Sequence, residues 1–155
     1  MQPIAICWFR RDLRLQDNAA LYHALKSGLP VLPLFIFDKN ILDDLEDESD
    51  QRVAFIHHSL EKMQAQLIQL GSSLLVEYGQ PTDVYQQLLK RYKLAAVFTN
   101  HDYEPYAIQR DTSIEALLTQ NGASFHSYKD QVIFGKNEIM KEDGSPYSVF
   151  TPYSR

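Results

Sequence analysis

Residues 8–18 read WFRRDLRLQDN, and this stretch decides the fold because an apolar run breaks off inside it. Residues 4–9 are apolar (IAICWF), and Arg10, Arg11, Asp12, Arg14 and Asp17 follow at once. Such a run ending in charge is how the first strand of an α/β sheet ends, and in such sheets ligands bind outside the carboxyl ends of the strands. The turn after Phe9 is therefore the first candidate site.

Outward from it, short apolar runs alternate with segments of helical period, the pattern of a βαβ protein with a parallel sheet. Asp17 or Asn18 caps a helix carrying Ala20, Leu21, Ala24 and Leu25 on one face, stopped by Gly28. Residues 30–37 (PVLPLFIF) form a second strand, with Pro33 marking a bulge or an unpaired position, and Asp38 just past its end. Residues 43–50 (DDLEDESD) hold six acids in eight positions and read as a solvated loop. Val53, Ile56, Leu60, Met63, Leu67 and Leu70 recur every three or four residues, a helix whose stripe is core, stopped by Gly71. Residues 73–78 form a third strand, Thr82 caps a helix bearing Val84, Leu88 and Leu89, and residues 94–99 form a fourth strand. Pro105 opens another helix, with Ile114, Leu117 and Leu118 inward and Gly122 closing it. Residues 124–128 and 131–134 are short extended pieces, and a polar turn surrounds Asp143, Gly144 and Ser145.

The expected fold is a doubly wound, Rossmann-like α/β domain over residues 1–135: five parallel strands in the order 3-2-1-4-5, in three layers. Residues 136–155 read as the start of a linker. Val149, Phe150, Pro152 and Tyr153 are apolar and aromatic, whereas domain ends are usually polar, so this tail either folds back or belongs to a longer polypeptide.

Composition narrows the function. With 155 residues and a net charge of −5, the chain is one acidic domain, and it lacks the clustered Lys and Arg of a free-standing nucleic-acid binder. It has neither a signal peptide nor a stretch long enough to span a membrane, and it reads as cytoplasmic. Cys7 is the single cysteine, in apolar company, and reads as a structural thiol. His57 and His58 are adjacent and cannot face one ion from a helix, and His23, His101 and His126 are scattered, so no metal site is expected.

The expected strand order places strands one and four side by side. Arg10, Asp12 and Arg14 would then face Asn100, Asp102, Tyr103 and Glu104, with Asp38 and Arg52 at the edge. This set suits a planar, hydrogen-bonding, partly aromatic ligand better than phosphate, because the first turn has no glycine and both GxGxxG and GxxxxGK[ST] are absent. The plainer alternative is that the charges neutralise each other and staple loops to helix ends, for example Arg10 with Asp12 or Arg110 with Asp111. There is no GxSxG, no Cys and His pair with sensible spacing and no carboxylate pair outside the acidic loop that the sequence commends, so no catalytic residue is assigned within the chain.

WFRRDLRLQDNAAL, RVAFIHHSL (52–60), NHDYEPY (100–106) with Arg110 and Asp111, and YSVFTPYSR (147–155) together resemble the N-terminal α/β domain of the DNA photolyase and cryptochrome family, closest in look to bacterial class I deoxyribodipyrimidine photolyases. The resemblance runs over nearly the whole chain. It implies a much longer protein whose helical domain binds FAD, recognises a cyclobutane pyrimidine dimer in damaged DNA and repairs it by light-driven electron transfer. Trp8 is the only tryptophan, so the family's relay of tryptophans does not lie here, and the 155 residues alone are not expected to be active.

In such proteins the α/β domain commonly holds an antenna chromophore, a deazaflavin or a folate. Folate-binding relatives carry an Asn-Glu pair where this chain has Tyr106 and Ala107, a departure that argues against folate. Asp102 and Glu104 resemble the acidic groups beside a deazaflavin, with Arg10 and Asp38 near the same cleft and Arg10 and Asp12 at its mouth. A flavin there, or no antenna, stays open. Arg11 and Arg14 read as loop staples or interdomain contacts. A cryptochrome light sensor, whose partner surface would lie elsewhere, and an unrelated nucleotide-binding module are the alternatives.

Overall fold

The computed structural model describes residues 2–43, 50–135, 138–141 and 143–145. Its elements, in chain order, are β1 (Ile4–Phe9), α1 (Ala19–Lys26), β2 (Val31–Asp38), α2 (Lys39–Leu42), α3 (Gln51–Gln69), β3 (Leu75–Gly79), α4 (Pro81–Arg91), β4 (Leu94–Asn100), α5 (Pro105–Gln120) and β5 (Ser124–Tyr128). All neighbouring strands run parallel, in the order β3-β2-β1-β4-β5. This is the expected doubly wound sheet.

β1 lies at its centre and is covered on both faces, which is why its sequence shows no polar alternation. Ala5, Cys7 and Phe9 pack with Ala20 and Ala24 of α1 and Leu60, Met63 and Leu67 of α3. Ile6 and Trp8 pack on the other side with Val84, Tyr85 and Leu88 of α4 and Ile114 and Leu118 of α5. The two clusters make three layers.

Several local expectations are corrected. Asn18, not Asp17, caps α1, accepting from the Leu21 N–H, while Asp17 takes φ +51° to turn the chain into the helix. Leu25 and Leu70 are exposed, outside the core stripes. Thr82 lies inside α4, which starts at Pro81 behind Gln80; proline needs no N–H at a first helical turn. Residues 131–134 form no strand, and α2 is an added turn of helix that the sequence reading left out. Gly71 does end α3, at φ +74°, a conformation other residues rarely adopt.

Pro33 produces no bulge: it pairs in register with Cys7, and the register shift lies between Ile4 and Ala5 instead. The Ala5 N–H donates to Pro30, and by alternation the nitrogen of residue 33 points away from β1. On that side, pairing with β3 begins only at Leu34, so an unpaired position costs nothing. Residues 44–49 of the acidic loop, the tail from 146, and the linker boundary at 136 lie outside the described residues.

Candidate functional site

The parallel order brings the turns after β1 and β4 together, as expected, but their polar groups mostly satisfy each other. Asp12 accepts from the Arg10 backbone N–H at 2.9 Å, from Asn18 Nδ2 at 2.8 Å and from Asn100 Nδ2 at 2.7 Å. Asn100 Oδ1 accepts from the Ala20 N–H at 2.9 Å, and its Nδ2 also reaches Asn18 Oδ1 at 3.0 Å. All three side chains are buried. Buried amides and carboxylates are costly unless fully bonded, and this knot bonds them. The crevice left at the switch point is only about 10 Å³.

Arg10 runs across the top of the sheet to α5. Its Nη1 bonds both Asp111 oxygens, at 2.6 and 2.7 Å, and its Nη2 donates to the Asn100 carbonyl. Arg110 immediately precedes Asp111 on the same helix, and its guanidinium lies 3.2 Å from Asp111 and 3.6 Å from Asp38. Both guanidiniums stand over the Trp8 ring, at 5.0 and 4.9 Å from its centroid. Of the two short-range alternatives in the sequence, Arg110 does meet Asp111, while also reaching Asp38, whereas the Arg10 guanidinium takes Asp111 in place of Asp12.

With the crevice sealed, open space lies to either side. One cavity, of about 300 Å³, sits past the carboxyl ends of β1 and β2 under α2 and the start of α3. Phe35, Phe37, Ile41, Leu42, Val53 and Ile56 supply apolar walls, and Asp38, Asp102, Arg10, Arg11, Arg52 and Arg110 supply polar groups. Phe35 and Phe37 meet edge to face at 5.0 Å. The second cavity, about 640 Å³, lies past β4 and β5 beside α5, with His101, Asp102, Tyr103, Asp111, Glu115 and Lys129 among its walls. Asp102 faces both.

The eight residues singled out in the sequence therefore separate. Arg10, Asp38, Arg52 and Asp102 line the first cavity; Tyr103 joins Asp102 at the second. Asp12 is not at a mouth but buried in the knot with Asn100, because the turn closes over it. Glu104 is exposed and pairs with Arg11 at 2.6 Å, an interaction that holds the Arg11 guanidinium above its ordinary pKa. Arg52 is exposed beside Asp50, at 2.5 Å. Arg11 and Arg14 are staples, the latter reaching Asp130 at 2.7 Å.

Asp130 also accepts from the Ala19 N–H at 3.0 Å and so anchors the start of α1, a role not expected from the sequence. Arg110 and the aromatic and aliphatic walls were likewise missed as site residues. Val53 and Ile56 carried a usable signal: they extend the α3 stripe about two turns on the N-terminal side of Leu60, the first of its residues buried in the core.

A tricyclic aromatic ring fits the first cavity on chemical grounds. Ligand pockets are mostly apolar with a few placed polar groups, and cavities start at about 300 Å³. Here two phenyl rings and four aliphatic side chains offer flat contact, while Asp102, held only at 3.5 Å by Arg11 and 3.3 Å by the Glu104 N–H, retains acceptor capacity for a ring N–H. Among the described residues no group of three metal-ligating side chains occurs. No helix among them is long and apolar enough to cross a membrane. The Cys7 thiol is buried, and burial pushes its pKa far up, as expected of a structural cysteine.

The family model for DNA photolyase matches residues 5–155. The deoxyribodipyrimidine photo-lyase of Synechococcus sp. (strain ATCC 27144) is 36% identical over 94% of this chain and 30% of its own length. Cryptochrome-1 of Arabidopsis thaliana is 32% identical over 96% of this chain and 22% of its own. Among solved structures, a bacterial class III photolyase from Agrobacterium tumefaciens superposes with TM-score 0.85 at 28% identity, over 98% of this chain and 31% of that one. An archaeal photolyase from Sulfolobus tokodaii, solved with two FAD molecules and read as implying a novel light-harvesting cofactor, gives TM-score 0.80 at 34% identity, over 87% of this chain and 31% of that one. The chain spans less than a third of the length of each of these proteins.

Proposed function

The chain belongs to the DNA photolyase family, and from that premise we propose that it is the chromophore-holding α/β part of a longer deoxyribodipyrimidine photolyase. In this reading the remainder of the polypeptide holds FAD, contacts damaged DNA and repairs cyclobutane pyrimidine dimers by light-driven electron transfer. The acidic balance of this part, −5, fits a scaffold that leaves most phosphate contacts to other residues.

The observation that carries the proposal is the cavity walled by Phe35, Phe37, Ile41, Leu42, Val53 and Ile56 with Asp38 and Asp102 at its edge. A flavin or deazaflavin bound there would absorb visible light and pass the excitation on. The chain's own residues bind and orient it: the phenyl rings and aliphatic walls exclude water from its faces, Asp102 accepts from a ring N–H, and Arg11 and Arg52 meet whatever projects to solvent. The light-harvesting cofactor implied for the Sulfolobus tokodaii protein makes a flavin the favoured class.

Folate is disfavoured, since the Tyr106 hydroxyl is committed to Asp38 at 2.7 Å and Asn40 at 3.0 Å, and Ala107 is buried and apolar. Likeness to a class III enzyme as well as the class I look of the motifs keeps the proposal at the level of the family.

Titration of FMN, a 5-deazaflavin and a folate against the chain tests this reading. Quenching of flavin or deazaflavin fluorescence, saturable and reduced by Asp102→Asn, is the expected result. Tight ATP binding with no flavin binding overturns it. A cryptochrome is the second reading, favoured by the match to Cryptochrome-1 of Arabidopsis thaliana. Illumination of dimer-containing DNA with the chain in its longer polypeptide separates the two, because a repair enzyme restores the pyrimidines and a sensor does not.

A further inference from the structure

The first cavity has one wall that is held differently from the others. β2 and α3 are packed into the core through Leu34, Ile36, Leu60 and Met63, but α2 is a single turn whose residues are all outside the buried core. Its Ile41 and Leu42 nonetheless line the cavity. Polar ties hold it in place. Asp38 Oδ1 caps it by accepting from the Asn40 N–H at 3.1 Å, and Asn40 Nδ2 donates to the Tyr106 hydroxyl at 3.0 Å. That hydroxyl donates in turn to Asp38 Oδ2 at 2.7 Å.

Tyr106 sits in the first turn of α5, and its ring is covered by the Arg110 guanidinium, 5.6 Å from the centroid. Arg110 is itself fixed by Asp111 and Asp38 and by the Trp8 face. The phenol is thus anchored on α5 while its oxygen grips the four-residue element opposite. Burial, and less strongly donation to the Asp38 carboxylate, raise the Tyr106 pKa against the lowering by Asn40, and the phenol is a donor at neutral pH.

We propose that Tyr106, which does not line the cavity, is a positioning residue that latches α2 over it and thereby sets the rates at which a planar chromophore enters and leaves. This rests on the reading of the cavity as a chromophore site. Removing the hydroxyl leaves the Asp38 cap and the packing of the sheet intact but frees the far side of α2, so Ile41 and Leu42 swing away more often. A latch slows entry and exit alike, whereas a wall residue changes exit by lost contact. The two roles are separable in kinetics.

The test uses FMN as the probe and the 155-residue chain as the protein. In stopped-flow fluorescence, Tyr106→Phe is expected to raise koff and kon together, each about tenfold, a change worth about one hydrogen bond, and a rise in koff alone marks lost contact and overturns the latch. Asn40→Ala, which removes the same tie from the other end, should act alike, and the double variant should add little to either. Hydrogen exchange read by mass spectrometry supplies a measure that needs no ligand: amides of residues 39–43 should exchange faster in Tyr106→Phe, while those of β1 and β4 stay protected. FMN binding with unaltered rates in both variants overturns the latch, and so does unaltered exchange at residues 39–43. A fall in kon with loss of protection across the sheet also overturns it, since that marks a residue needed for folding. If the unmodified chain binds no flavin, the chromophore reading fails, and the exchange of residues 39–43 alone decides whether Tyr106 ties α2.

Discussion

Asp12 and Asn100, 88 positions apart in the chain, are joined by a hydrogen bond of 2.7 Å between Oδ2 and Nδ2, and Asn18 bonds to both. The bond closes the seam between β1 and β4 where the winding of the sheet reverses. Its consequence is that the switch point, the usual place for a ligand in such sheets, is filled by the protein's own side chains.

Replacing Asn100 with Ala should therefore cost stability and not ligand affinity. The substitution strips one donor from a buried carboxylate and the acceptor from the Ala20 N–H, and each buried group left unpaired costs about 1–3 kcal/mol. Urea unfolding is expected to show a loss of about 2–4 kcal/mol, with FMN affinity of the folded fraction unaltered.

Asp111→Ala should be more damaging still. It leaves the Arg10 guanidinium, whose side chain is 9% exposed, without its bidentate partner, and breaking a buried pair from one side costs about 3–5 kcal/mol. Replacing both partners at once, as Arg10→Met with Asp111→Leu, should recover much of that loss in thermal unfolding, because the Arg10 charge is then gone and Arg110 keeps Asp38 at 3.6 Å.

Tyr85 gives a test that turns on pH. Its ring is fully buried, its hydroxyl has no hydrogen-bond partner among the described residues, and burial pushes its pKa well up. A raised folded-state pKa contributes stability that is complete below the unfolded value, about 10, and is lost as pH rises toward the folded one. Tyr85→Phe should be neutral or stabilising by about 1 kcal/mol at pH 7, and the gain should widen above pH 10. Denaturation at pH 7 and pH 10.5 checks both signs.

Arg52 and Ile56 should respond in opposite ways. Arg52 is 75% exposed and its pair with Asp50 is a surface one, so Arg52→Ala should leave the urea midpoint nearly unmoved and change FMN affinity only modestly. Ile56→Glu places a charge in the apolar wall of the cavity and should reduce FMN binding by at least about tenfold, measured by fluorescence titration.

The order of elements, the central position of β1 and the parallel sheet were legible in the sequence because burial on both faces imposes unbroken apolar runs, and glycine, proline and asparagine punctuate them locally. The family was legible too, in motifs such as WFRRDLRLQDN. The pairing of charges was not: the Arg10 guanidinium took Asp111, 101 positions away, over Asp12 two positions away, because the fold brings the first turns of α5 within reach of the turn after β1. Nor was the cavity, since Val53 and Ile56 obey the same periodicity as core residues and only the gap between α2, α3 and the strand ends leaves their outer atoms uncovered. Periodicity is a local consequence of burial, so sequence alone determined the sheet. Which polar groups meet, and where space remains once they have met, depends on distances between elements far apart in the chain, and only the tertiary structure decided that.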